Sequence, residues 1–188
     1  LGLLISVSCD SDRDSNPTIV VPDSFVLNTP PYAPNDIDLI NSTVLELTTT
    51  QPDYGFTAPV SYSVQISLDD TWIDATEEVA ASYATLETMF STAKMGAVST
   101  EMARNIVSLA GWTNESQVPD NAISIYVRLK AHLGAGDYPV YSNSVKLSVI
   151  PYFIMLKDAL PAPYYLVGGC IGDGTWTNSS KANIGVSL

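Results

Sequence analysis

Apolar and polar residues alternate strictly from Val60 to Leu68 (VSYSVQISL). Val60, Tyr62, Val64, Ile66 and Leu68 are set against Ser61, Ser63, Gln65 and Ser67. Successive side chains of a strand point to opposite faces, so this period predicts a strand with one apolar face and one face of hydroxyls and an amide. It is expected to lie half buried in an antiparallel sheet, one face on a core, and to act as scaffold. The same alternation returns in Ala122–Ala131, where Ile123, Ile125, Val127 and Leu129 oppose Ser124, Tyr126, Arg128 and Lys130. A GAGD turn at 134–137 and the stretch Tyr141–Ile150 complete a long hairpin with it.

Shorter strands are predicted at Ser24–Leu27, Ile37–Ile40, Thr43–Thr49 and Tyr83–Leu86. Prolines 30, 31 and 34 break the ladder after the first, and Pro52–Phe56 (PDYGF) makes a turn in which Gly55 supplies the permissive backbone. Leu68–Ala81 is an acidic loop. One segment departs from period 2. Met102, Ile106 and Leu109 recur at helical spacing in Ser99–Leu109, with Ser99 or Thr100 as N-cap, Glu101 in the first turn and Gly111 as the stop. This predicts a short amphipathic helix laid over a sheet edge. About seven short strands with turn residues between them predict an all-β fold, a β-sandwich of the immunoglobulin or fibronectin type III class with one short helix, over residues 18–152. A Cys–Trp–Cys pattern is missing, which excludes the antibody-like variant.

The two ends read differently. LGLLISVSCDSD is an apolar run followed by small residues and then Cys9, the pattern of a secretory signal tail (1–8) ending at a lipidation cysteine. Ser6 stands where leucine is preferred, while Val7 and Ser8 suit such a site. Residues 9–17 then form the lipidated Cys9 and a polar, flexible tether. At the other end, residues 153–163, closed by Pro161–Ala162–Pro163, read as a linker. Residues 164–188, with a strand at Tyr164–Val167, a glycine turn and Trp176, read as the truncated start of a second β-sandwich domain, too short to close a core alone. The chain is therefore expected to be a fragment at both ends.

Composition narrows the function. The 188 residues carry a formal net charge of −12 with eight Lys and Arg, which excludes nucleic acid as a partner and disfavours docking on anionic lipid. No run of 18 apolar residues is present, so no helix able to cross a membrane is predicted. Cys9 and Cys170 sit in contexts too different to suggest a pair.

Candidate chemistry is sparse. The glycines after Val167 run G-x-x-G-x-G, the reverse of the dinucleotide fingerprint, and no helix follows. His132 is the single histidine and has no second ligand nearby in sequence, so no metal site is predicted. Asp69–Asp70 and Glu77–Glu78 lack the spacing of a calcium loop, and read as solvated carboxylates. No catalytic motif and no cofactor site is found, and no enzyme activity is expected. Of the tryptophans that could stack on a sugar, Trp112 ends the helix and reads as structural, Trp72 lies in a loop, and Trp176 is a weak glycan-binding candidate.

Several of these stretches together resemble one family. They are the Cys9 leader, the F-x-L strand at Phe25–Leu27, the block PDYGF-x-A-x-V-x-Y-x-V-Q-x-S (Pro52–Ser67), V-R-L-K-A (Val127–Ala131) and YLVGG…G-x-W (Tyr165–Trp176). The chain resembles the SusE-type outer-membrane lipoproteins of starch-utilisation-type glycan uptake systems. That resemblance implies an immunoglobulin-like N-terminal spacer followed by carbohydrate-binding β-sandwich modules. It also implies a lipid-anchored, surface-exposed location, with Asp10, Asp12 and Asp14 resembling an export signal. The implied partners are a polysaccharide, starch or another glycan, and a SusC/SusD-type transporter. A structural or protein-docking module without glycan binding is the alternative expectation.

Overall fold

A computed structural model of the chain describes residues 18–154. The predicted lipidation site Cys9, the acidic residues 10, 12 and 14, and the second-domain start with Trp176 lie outside the described residues. The described elements run β1 (Asp36–Asp38), β2 (Val44–Thr48), β3 (Val60–Ser67), β4 (Tyr83–Phe90), β5 (Lys94–Val98), α1 (Ser99–Ala110), β6 (Ile123–Leu133), β7 (Asp137–Tyr141) and β8 (Val145–Ile150), with one 3-10 turn at Glu115–Gln117. They make an all-β, sandwich-like fold of a six-stranded and a two-stranded sheet with one α-helix among the described residues.

β6 is the spine of the large sheet, whose order is β1-β8-β6-β3-β4. On one side it pairs antiparallel with β3 from Val60↔Leu133 to Ser67↔Tyr126. On the other, β8 covers its first half and β7 its second. The predicted return strand is thus broken at 142–144 into two pieces, and it begins earlier than expected, at Asp137. β1 joins β8 in parallel. β2 and β5 pair antiparallel as the small sheet.

One face of β3 and β6 builds the core. Val64, Ile66, Ile125, Val127, Leu129 and Ala131 are all fully buried. The expectation that β3 is buried on one face only is corrected here. Ser63, Gln65 and Ser67 are also buried, at 8%, 2% and 0% exposure, because neighbouring strands and the 68–82 loop cover the second face. Leu45 and Leu47 of β2 are buried as their alternation requires, and Leu27 beside them bridges to Thr49. Phe25 bridges to Ser142 and packs edge-on against Tyr62, 6.0 Å between ring centroids. The Phe25–Leu27 segment therefore links the two sheets. It is fixed by Asn143, whose side-chain Oδ1 accepts from the Leu27 N–H at 2.9 Å while its Nδ2 donates to the Leu27 carbonyl at 3.2 Å.

α1 leaves β5 without a loop and packs on the edge strand β4. Its stop is as expected: Gly111 adopts φ 68, and the N–H groups of Gly111 and Trp112 close the last turn on Ser108 and Val107. Its start is not. Val98 is the N-cap and makes no side-chain bond, while the Ser99 N–H donates to the Thr43 carbonyl at 3.0 Å. The buried stripe is Met102, Ala103, Ile106 and Val107, so Val107 takes the place expected for Leu109. Glu101 ties the helix to β4, accepting from the Thr88 hydroxyl at 2.7 Å and its N–H at 3.3 Å.

Candidate functional site

The non-core face of the large sheet gathers the polar chemistry of the chain. Register places Thr85, Gln65 and Arg128 in one row across β4, β3 and β6, and Met89, Ser63, Lys130 and Tyr141 in the next, ending on β7. Directly paired residues share a face, with Cβ atoms about 5 Å apart. His132, opposite Ser61, continues the β6 side of this face and is 6% exposed.

Arg128 is the centre of the arrangement. Its guanidinium carbon sits 4.2 Å from the Trp72 ring centroid, 4.2 Å from that of Tyr141 and 5.4 Å from that of Tyr83. The attraction between cation and ring faces fixes the guanidinium plane. Nε donates to Gln65 Oε1 at 2.8 Å, and Gln65 Nε2 in turn donates to Thr85 Oγ1 at 3.2 Å. Burial lowers the Arg128 pKa from its ordinary value, while Tyr141, Tyr83, Asp74 and Asp70 favour its charge.

The 68–82 loop supplies the covering side chains and holds itself in shape. Asp69 accepts from the Thr71 hydroxyl at 2.6 Å, the Thr71 N–H at 3.1 Å and the Ser67 hydroxyl at 3.0 Å, and these bonds hold its carboxyl below the usual range. Asp70, at φ 61, accepts from Trp72 Nε1 at 3.1 Å. Tyr83 donates to Asp74 at 2.5 Å, and that bond, ahead of burial, raises the phenol pKa. The carboxylates Asp69, Asp70 and Asp74 thus bind groups of their own loop and of the adjoining strand ends. Glu77 and Glu78 are exposed. Among the described residues no group of three or more His, Cys, Asp and Glu is placed to hold a metal.

Beside this cluster lies a depression of about 390 Å³ bordered by Ser63, Tyr83, Thr85, Lys130 and His132. A second depression, of about 400 Å³, is formed by the 51–57 turn itself. Among the described residues it has no basic side chain, and the Asp53 carboxylate there accepts from the Gly55 N–H at 2.8 Å. Of the tryptophans weighed for sugar stacking, Trp72 has Arg128 over its ring, and Trp112 is half buried where the helix ends. Trp176 lies outside the described residues. The Trp72–Arg128–Tyr141 stack was not legible in the sequence. Its one trace there is a cationic residue on the polar face of β6, a position that alone names no partner.

Among the described residues, no helix is long and apolar enough to cross a membrane. No solved structure matches the chain significantly. A family model described as SusE outer membrane protein matches residues 12–130, which takes in every element from β1 through most of β6, including Trp72, Arg128 and Lys130. The protein belongs to the SusE outer membrane protein family.

Proposed function

We propose that the protein is a non-catalytic, cell-surface lipoprotein that helps capture polysaccharide for a SusC/SusD-type uptake system. Residues 18–152 act chiefly as the spacer between anchor and glycan. Cys9 carries the lipid, residues 10–17 are the tether, and the domain opening after the 153–163 linker begins the principal sugar-binding module, with Trp176 as its candidate stacking residue. The observation that carries this reading is the family match across 12–130. The lipobox-like leader supports the anchor: two acyl chains, each buried CH₂ contributing about 0.8 kcal/mol, hold a protein stably where one does not.

Affinity electrophoresis against a panel of neutral soluble polysaccharides tests the capture. The complete mature protein should be retarded by one of them, and residues 18–152 run alongside should not. If no polymer slows either sample, glycan capture fails and a protein-docking role takes its place. Cys9→Ser tests the anchor separately, since it should abolish metabolic labelling with palmitate and release the protein from the membrane fraction.

A further inference from the structure

The polar face of β6 carries a feature that a spacer does not need. With Nε committed to Gln65 and two aromatic rings within 4.2 Å, the Arg128 guanidinium is held in one plane. Its terminal nitrogens donate to no described residue. Gln65 is itself oriented by Thr85, so the support extends one residue further. An arginine fixed in this way presents a ready fork for two oxygens of a carboxylate or a tetrahedral oxyanion and loses little further rotamer freedom on binding.

The surroundings give that fork a ligand class. Lys130 follows two positions later on the same face and has no ion-pair partner among the described residues. The depression beside it is bordered by the Ser63 and Thr85 hydroxyls and the Tyr83 ring, a mixture of donors, acceptors and apolar surface that suits a sugar body. Among the described residues, no carboxylate lines that depression. Asp70 and Asp74 influence Arg128 from the loop, but they are bonded to Trp72 and Tyr83. In a chain with 20 acidic and eight basic residues, two cations, Arg128 and Lys130, occupy successive non-core positions of one strand.

We propose that the outer face of β6, with Arg128 and Lys130 as the anion contacts and the adjoining depression as the sugar contact, is a subsite for an anionic sugar unit, bearing a carboxylate or a sulfate. The inference rests on the glycan-capture reading and adds to its polymer an acidic sugar unit held on this domain. The Arg128 fork takes the anion through paired N–H bonds, Lys130 adds a point charge, and Ser63, Thr85 and Tyr83 meet the sugar ring.

Native electrophoresis of the full 188-residue chain in gels containing polygalacturonate, dextran sulfate, neutral dextran or polyphosphate tests it. The net charge of −12 opposes adsorption to any polyanion, so retardation reports a local site. Polygalacturonate or dextran sulfate should retard the chain, the responding gel identifying carboxylate or sulfate, and polyphosphate should not. Lys130→Gln, at a half-exposed position, should weaken binding by about fivefold, the equivalent of one exposed charge contact of about 1 kcal/mol, with an unchanged circular dichroism spectrum. Lys130→Glu should abolish it. Unchanged mobility in both acidic glycans, equal retardation by polyphosphate, or indifference to both Lys130 variants overturns the proposal. None of those results bears on capture of a neutral glycan by the complete mature protein, so the two readings fail separately.

Discussion

Arg128→Lys keeps the positive charge on β6 and removes the planar, Nε-bearing head that the surroundings are built to hold. Three contacts change. The Nε bond to Gln65 is a charged-donor bond at 2.8 Å, and Gln65 is only 2% exposed, so losing it leaves Oε1 without its donor. Bonds of this kind contribute about 1.5–3 kcal/mol. The two close ring contacts add about 0.5–1 kcal/mol each for a partly exposed cation, and lysine retains part of that. Because Arg128 and Trp72 both reach solvent, the lower values apply, and the expected loss is about 2 kcal/mol. Urea unfolding of the variant should show the midpoint falling with the slope unchanged. Amide exchange should accelerate across 68–82, where Trp72 is one of the loop's holds on the sheet, and much less in the core segments of β3 and β6. A double-mutant cycle with Trp72→Ala should return a coupling of about 1 kcal/mol. If Arg128→Lys unfolds within about 0.5 kcal/mol of the parent, inside the range of ordinary surface substitutions, and leaves exchange in the loop unaltered, the stack is incidental and Arg128 is not preorganised.

Three further outcomes follow from single contacts. Asn143→Ala removes both bonds to the backbone of Leu27, itself 1% exposed, and should cost about 2 kcal/mol in urea unfolding, whereas Asn143→Asp, which at neutral pH can accept but not donate, should fall between. Tyr32 is raised to about 12 by burial and then by Glu46, so its phenol should ionise well above the ordinary tyrosine value in a spectrophotometric titration that compares the parent with Tyr32→Phe. Because the folded value lies above the unfolded one, that contribution is complete below about pH 10 and is lost as pH rises toward 12, and Tyr32→Phe should flatten the alkaline limb of the stability curve. Asp69 has the opposite sign: its carboxyl is depressed by Thr71 and Ser67, so its contribution is present above the ordinary aspartate value and fades as pH falls through the lower folded one, and Asp69→Asn should remove that part of the acid sensitivity.

What the sequence disclosed and what it hid divide along the range of the interactions. The alternation in Val60–Leu68 and Ala122–Ala131 marked the two central strands, and Gly111 marked the helix end, because each is a local rule satisfied by neighbouring residues. β5 was missed. It is five residues long and has Gly96 at its centre, and its pairing with β2 is a matter of tertiary placement. The predicted Ser99 cap failed for the same reason. A helix running straight out of β5 has its first N–H met by Thr43, so the Ser99 hydroxyl is not recruited and remains buried without a partner. The burial of Ser63, Gln65 and Ser67 could not be read from their polarity. It depends on Trp72, Tyr83 and Tyr141 arriving from a loop and two other strands, which only the register decides.

β6 shows why one scaffold can keep its fold while its outer surface changes. Val127, Leu129 and Ala131 are fully buried, and they alternate with Arg128, Lys130 and His132. Substituting a side chain on one face leaves the contacts of the other in place, so a change at Lys130 can alter a ligand without disturbing the core. Arg128 is the exception. Its contact with the Trp72 ring helps hold the 68–82 loop to the sheet, so the residue best placed to bind an anion is also one that the loop uses. Selection acting on the ligand alone would therefore vary Lys130 and the border of the depression first, and would reach Arg128 only together with Trp72 and Gln65.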